Sequence, residues 1–136
     1  MKEHLQGLIA APFTPMHPDG AINPGIIPSY YHMLKENGIN GAFICGSTGE
    51  GVSMNNAEKK QVAEAWALAT AGDKDFKVMM FLGGTSIADC KDLAMHARRA
   101  GLYAVSFTAP FYFKPATVNL LAEACLEVAS VVPDPS

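Results

Sequence analysis

A chain of 136 residues with 49% hydrophobic and 17% charged residues and a formal net charge of −3 reads as an ordinary soluble globular chain with no basic patch for nucleic acid. Its longest apolar runs, such as Val78 to Leu82 and Val62 to Ala71, are interrupted or shorter than the roughly 20 residues that span a bilayer. The opening "MKEHLQGLIAAPF" is too briefly apolar, and too soon ended by proline, for a signal peptide, so a cytoplasmic protein without membrane or nucleic-acid partners is expected. Cys45, Cys90 and Cys125 are odd in number, widely spaced and set among apolar neighbours, which reads as reduced core residues and not as a metal site.

In chain order, "GLIAA" (7–11) is a short strand closed by Pro12 and Pro15, and Asp19-Gly20 marks a turn. Asn23 offers a helix cap with Pro24 at the first helical position, although Pro28 allows a later start. Ile26, Ile27, Tyr30, Met33 and Leu34 follow the 3.6 period, and Gly38 ends the helix. "GAFIC" (41–45) is the second strand. Asn55 and Glu58 have capping-box spacing before a helix whose apolar face is Val62, Trp66 and Ala69. "KVMMFL" (77–82) is the third strand, and Ser86 caps a helix with Cys90, Leu93, Ala94 and Ala97 on one face and Gly101 at its end. "YAVSFT" (103–108) is the fourth strand, and Thr117 begins a last helix that buries Val118, Leu121, Cys125 and Val128.

Four strand-then-helix units define an α/β chain. The strands are nearly continuous in apolar residues, so they should be parallel and covered on both faces. Two architectures remain open. A doubly wound sheet is complete at about this length, whereas an eight-stranded barrel normally takes about 250 residues. Against length stand the loops: each strand ends in a distinctive polar or proline-rich segment ("APFTP", "GSTGEG", "GGTS", "APFYFKP"), and a barrel uses every strand end on one rim.

The loop after the second strand, G-S-T-G-E-G (46–51), fits neither the P-loop nor the dinucleotide fingerprint. Gly46 and Gly49 can take positive φ and let backbone N–H groups converge, while Ser47 and Thr48 add hydroxyls. A carboxylate suits such a concavity. A tight strand-to-helix connection explains the same residues, with Glu50 as a loop brace. Phe111, Tyr112 and Phe113 lie between Pro110 and Pro115; Tyr112 could relay a proton, and clustered aromatics also simply pack. Lys114, beside a proline in a loop, lacks the desolvated setting that activates an amine. His4, His17, His32 and His96 are scattered and read as surface residues.

"GLIAAPFTPM", "DGAIN", "GSTGEG", "EKKQVAEAW" and "TAPFYFKP", in this order and spacing, resemble the N-terminal half of the N-acetylneuraminate lyase and dihydrodipicolinate synthase family. The likeness covers nearly the whole chain, and the G-[ST]-T-G-E loop is its hallmark. It implies a (β/α)8 barrel sequence with the first four units present as one domain over residues 1–136. It further implies an aldolase or lyase that binds pyruvate as a Schiff base without a cofactor, commonly as a tetramer. "PFYFKP" leans toward the lyase branch, which cleaves a sialic acid reversibly to pyruvate and N-acetylmannosamine; other keto-acid aldolases share this front half. By the resemblance, Ser47 and Thr48 hold the pyruvyl carboxylate with the backbone around Gly46 and Gly49. Tyr112 matches a tyrosine that enters a neighbouring subunit's site and relays a proton through Ser47. The family's Schiff-base lysine lies on its sixth strand, and no residue here matches it, so an inactive fragment of a longer lyase is expected. A non-catalytic anion-binding module is the alternative.

Overall fold

The computed structural model describes residues 4–132. Its strands are β1 (Leu8–Ala10), β2 (Ile39–Ile44), β3 (Lys77–Phe81) and β4 (Ala104–Ser106), and its helices are α1 (Ile27–Glu36), α2 (Asn56–Ala69), α3 (Ile87–Ala100) and α4 (Val118–Ala129). The strands form one parallel sheet in the order β1-β2-β3-β4. A doubly wound sheet reverses its strand order at a switch point. Here the order never reverses, and the four units are half of a (β/α)8 barrel.

Local signals set the helix starts. The Asn55 side chain accepts from the Glu58 N–H, while the Glu58 carboxylate accepts from the Asn55 N–H, both at 2.9 Å, completing the capping box of α2. Ser86 and Thr117 cap α3 and α4 through their hydroxyls. Asn23 does not cap as the sequence suggests. Pro24–Ile26 form a single 3-10 turn, and α1 begins at Ile27 with Pro28 in its first turn, where a missing N–H costs nothing.

One face of the sheet is covered and the other is not. Ala42, Ile44, Val78, Met80 and Leu82 point into the core with Ile27, Leu34, Val62, Trp66, Leu93 and Ala97 from the helices. Phe43, Met79 and Phe81 alternate with them on the opposite face and are only half-buried. Among the described residues the helices cover one face only, because successive crossovers of one hand lay their helices on the same side. Two helix faces also differ from the periodicity. In α1 the buried set is Ile27, Tyr31 and Leu34, with Met33 exposed. In α4 only Val128 is buried; Val118 and Cys125 are exposed, since among the described residues α4 packs mainly on α3. The expectation of three core cysteines thus holds for Cys45 and Cys90 and fails for Cys125.

An aromatic chain fastens the loop after β1 to this core. Phe13 stacks on Tyr30 at 4.7 Å between centroids, Tyr30 leans on Trp66 at 5.8 Å, and Trp66 lies parallel to Phe76 at 6.4 Å. Truncating a buried tryptophan of this kind costs roughly 3–5 kcal/mol. Tyr31 meets Phe76 edge-on and donates its hydroxyl to Asp73 at 2.6 Å.

Asp73 also accepts from the Lys35 ammonium. The Lys35 hydrogen bond first, and that of Tyr31 second, hold the Asp73 carboxyl at about 2 against an ordinary 3.8. A carboxylate depressed in the fold stabilises above its unfolded pKa and loses that contribution as pH falls through the folded value. The denaturation midpoint should therefore drop between pH 4 and pH 2, and Asp73→Asn should lower it at neutral pH and flatten its decline in that window. Urea titrations of both chains across pH 2–7 check this; parallel curves would contradict it.

Candidate functional site

Because all four strands are parallel, the loops that follow them share one rim. The loop after β2 is the most constrained. Its N–H groups at Glu50, Gly51 and Ser53 close turns onto Ser47, Gly46 and Glu50 carbonyls at 2.9–3.1 Å. The N–H groups of Ser47, Thr48 and Gly49 make no backbone hydrogen bond among the described residues. Ser47 and Thr48 are exposed, with Gly46, Gly49 and Gly51 buried beneath them. Two hydroxyls and uncommitted amides thus stand together at the rim, an arrangement that can receive a small anion.

The glycines are needed for space, not for positive φ. The left-handed residues are Cys45 (φ 59°) and Glu50 (φ 56°), and neither Gly46 nor Gly49 is among the positive-φ glycines. A Cβ on Gly51 would lie 1.8 Å from the Cys45 carbonyl oxygen, and one on Gly49 would lie 3.1 Å from the Pro12 carbonyl. The chain folds back on itself so closely that a side chain has nowhere to go. The expected brace role of Glu50 is likewise one of backbone: among the described residues its carboxylate makes no hydrogen bond, while its N–H and C=O both close turns.

Thr14 is the residue that sequence reasoning missed. Buried in the loop after β1, it donates its hydroxyl to the Gly49 carbonyl at 2.7 Å and so ties two rim loops together across 35 positions. The proline-flanked "APFTP" hinted at a fixed loop, but nothing in it names the acceptor. The other two rim loops are joined similarly. The Thr108 N–H donates to the Gly83 carbonyl at 3.4 Å, and a Cβ on Gly84 would meet the Thr108 carbonyl at 2.6 Å.

Tyr112 stands apart from the cradle. It is 77% exposed, packs edge-on against Phe113 at 4.9 Å, and makes no hydrogen bond to Ser47 among the described residues. Phe111 turns back instead, lining an open cleft of about 450 Å³ with Gly51, Met54, Lys59 and the residues before α3. Lys59 is buried there, and its positive charge opposes the burial that pushes Cys90 up and Cys45 to about 12. Both thiols therefore remain protonated at neutral pH, which makes them packing residues and poor nucleophiles. Among the described residues no helix is long and apolar enough to cross a membrane.

Residues 4–129 match the model of the dihydrodipicolinate synthetase family. The chain belongs to that family. It is 40% identical over 133 residues to N-acetylneuraminate lyase of Pongo abelii and 39% identical to that of Homo sapiens, covering 97% of this chain and 41% of each relative. It superimposes on the solved Proteus mirabilis N-acetylneuraminate lyase with a TM-score of 0.91 at 38% identity, over 98% of this chain and 45% of that one. Dihydrodipicolinate synthase of Aquifex aeolicus gives 0.86 at 29% identity, over 96% and 43%. The chain thus spans about two fifths of the length of the curated relatives it matches.

Two substitutions test the construction of the rim. Gly51→Ala should destabilise the fold by roughly 3 kcal/mol, since its Cβ collides with backbone. Thr14→Val leaves the buried Gly49 carbonyl without its donor and should cost about 1–3 kcal/mol. Denaturant unfolding of each variant measures both, and a change within error of zero for either contradicts its assigned role.

Proposed function

We propose that this chain is the carboxylate-holding part of an N-acetylneuraminate lyase-type Schiff-base aldolase acting on a sialic acid in the cytoplasm. In this reading residues 1–136 form one unit, the first half of a barrel. Ser47 and Thr48, with the amides between Gly46 and Gly49, hold the carboxylate of pyruvate. Tyr112, carried outward on its loop, reaches a neighbouring subunit of a homotetramer and passes a proton through the Ser47 hydroxyl. The supporting observation is the cradle itself: two exposed hydroxyls and uncommitted amides on a sterically locked loop, in a chain about 40% identical to two lyases of that name.

The chemistry follows from what such an aldolase must do. An amine condenses with the keto carbon of the substrate and expels water. The iminium then accepts the electrons of the bond between the carbons α and β to it, giving an enamine, while the β-hydroxyl loses its proton and becomes the aldehyde carbonyl; the enamine takes up a proton and water releases pyruvate and the free amine. Fixing the carboxylate orients the keto carbon toward the amine, and a phenol–hydroxyl pair gives the proton a path. No residue of this chain carries the resemblance to the amine; Lys114 is exposed beside Pro115. The amine belongs, in this proposal, to the part of the barrel that these residues do not cover. Synthases share the same front half, as the likeness to the Aquifex aeolicus enzyme illustrates, so a pyruvate-condensing synthase is the second reading.

A fusion of residues 4–132 to the uncovered part of the Proteus mirabilis lyase tests the proposal. Pyruvate release from N-acetylneuraminate is expected. Ser47→Ala should lower kcat/KM by about 100-fold, and Tyr112→Phe should lower kcat by about 100-fold or more with little change in KM. Full activity in both variants would refute the assigned roles, and a folded fusion that takes pyruvate yet leaves the sialic acid intact would favour the second reading. The 136-residue chain treated with pyruvate and borohydride should gain no mass; an adduct would place the amine within it.

A further inference from the structure

We propose that Thr14 is a positioning residue for the cradle, a role that rests on the carboxylate reading of the loop after β2. Its hydroxyl holds the Gly49–Glu50 peptide in the orientation that presents the Thr48 N–H to an incoming carboxylate. The path runs through two peptide planes. The Thr14 hydroxyl donates to the Gly49 carbonyl at 2.7 Å. The same peptide carries the Glu50 N–H, which donates to the Ser47 carbonyl at 3.1 Å. That carbonyl shares its peptide with the Thr48 N–H, which makes no backbone hydrogen bond among the described residues. Each donation polarises the peptide it reaches, so Thr14 strengthens the last donor as well as orienting it.

A latch is needed because the held orientation is strained. Glu50 has φ 56°, a left-handed conformation that a side chain disfavours. Rotating the Gly49–Glu50 peptide by half a turn carries Glu50 to ordinary negative φ, and Gly49, without a Cβ, permits the matching change in ψ. The rotation also turns the Gly49 oxygen toward the Ser47 oxygen, into the place now taken by the Glu50 N–H. Two carbonyl oxygens repel there, so the Ser47–Thr48 peptide must move and take the Thr48 N–H with it. Two hydrogen bonds oppose the rotation, and Thr14 supplies the one that comes from outside the loop.

Thr14 is itself firmly mounted. It precedes Pro15, which confines it to extended backbone. The Pro15 carbonyl accepts from the Asn23 N–H at 2.7 Å, and Phe13 stacks on Tyr30. Thr14 and Gly49 are both buried, so water does not compete for the bond between them.

The lyase fusion tests the latch, with borohydride trapping of pyruvate as the probe. Where the peptide is mostly rotated, pyruvate must select the minor, held form, which raises the half-saturating concentration and leaves the saturated rate alone. Thr14→Val should therefore raise half-saturating pyruvate about tenfold with the saturated trapping rate unchanged, and its crystal structure should show Glu50 at negative φ. A loss of stability alone would not produce that split. Thr14→Ser keeps the hydroxyl and should match the intact protein. Glu50→Gly in the Thr14→Val background removes the strain that drives the rotation and should bring half-saturation back to within about threefold of the intact protein. In the unaltered fusion, saturating pyruvate should slow hydrogen exchange of the Glu50 amide, a readout that needs no variant. Unchanged half-saturation in Thr14→Val, an equal loss in Thr14→Ser, no recovery in the double variant, or a Glu50 amide indifferent to bound pyruvate would each overturn the proposal. An intact fusion that traps no pyruvate would instead refute the carboxylate reading, and the φ of Glu50 in Thr14→Val would still decide the latch.

Discussion

A parallel strand can rejoin its neighbour only through a crossover, and a crossover of fixed hand lays its helix on one face of the sheet. Three such returns in succession determine most of this molecule. They put α1, α2 and α3 on a single side, where Trp66, Ile27 and Leu93 close the core and α4 packs beside α3, and they leave Phe43, Met79 and Phe81 on the other. They also bring every strand's carboxyl end to one rim. Residues as distant in sequence as Thr14, Gly49, Gly83 and Thr108 can then be tied pairwise across adjacent loops. The site is a consequence of strand direction before it is a consequence of any catalytic side chain.

What was legible in the sequence was local. Asn55, Ser86 and Thr117 announce their helices because a cap involves residues three apart, and all three side chains cap as read. The buried face of α3 follows its periodicity at Cys90, Leu93, Ala94 and Ala97, since α3 has a helix on either side. The same periodic reading fails for α4, whose apolar stripe is real but, among the described residues, meets mainly α3. It also fails at Met33 and Tyr31 of α1, where hydropathy favours methionine but Tyr31 has Phe76 to pack on and Asp73 to bond. Tertiary partners decide between residues that the 3.6 period alone leaves nearly equivalent.

At the rim the composition of the loop was legible, and the reason for that composition was not. Glycines in a turn suggest positive φ because that is their commonest use. In this loop the left-handed positions fall instead on Cys45 and Glu50, while the glycines sit where backbone meets backbone. Nothing in "GSTGEG" distinguishes those uses, since both demand a residue without a Cβ. Thr14 was illegible for a different reason: its partner lies 35 residues away and is a carbonyl, which any residue carries.

The strain in that loop bears on whether it is merely a connection. A left-handed non-glycine residue costs on the order of 1 kcal/mol, and Cys45 and Glu50 incur that cost within six residues of each other. A link from strand to helix needs no such expense; the chain accomplishes it after β3 with glycine in the left-handed position, at Gly83. The strain is retained because the surroundings enforce it, through the contact of Gly51 with Cys45, the Thr14 hydrogen bond and the turns closed by the Glu50 and Gly51 N–H groups. Their effect is to fix the backbone at Ser47 and Thr48 before any ligand arrives. A donor already in place binds an anion without reorganising, and that is the circumstance in which hydroxyls and amides at a rim are most effective. The conformational cost and the hydroxyls and amides proposed to hold a carboxylate thus occur in the same few residues, a coincidence that the proposed cradle explains and a plain turn does not.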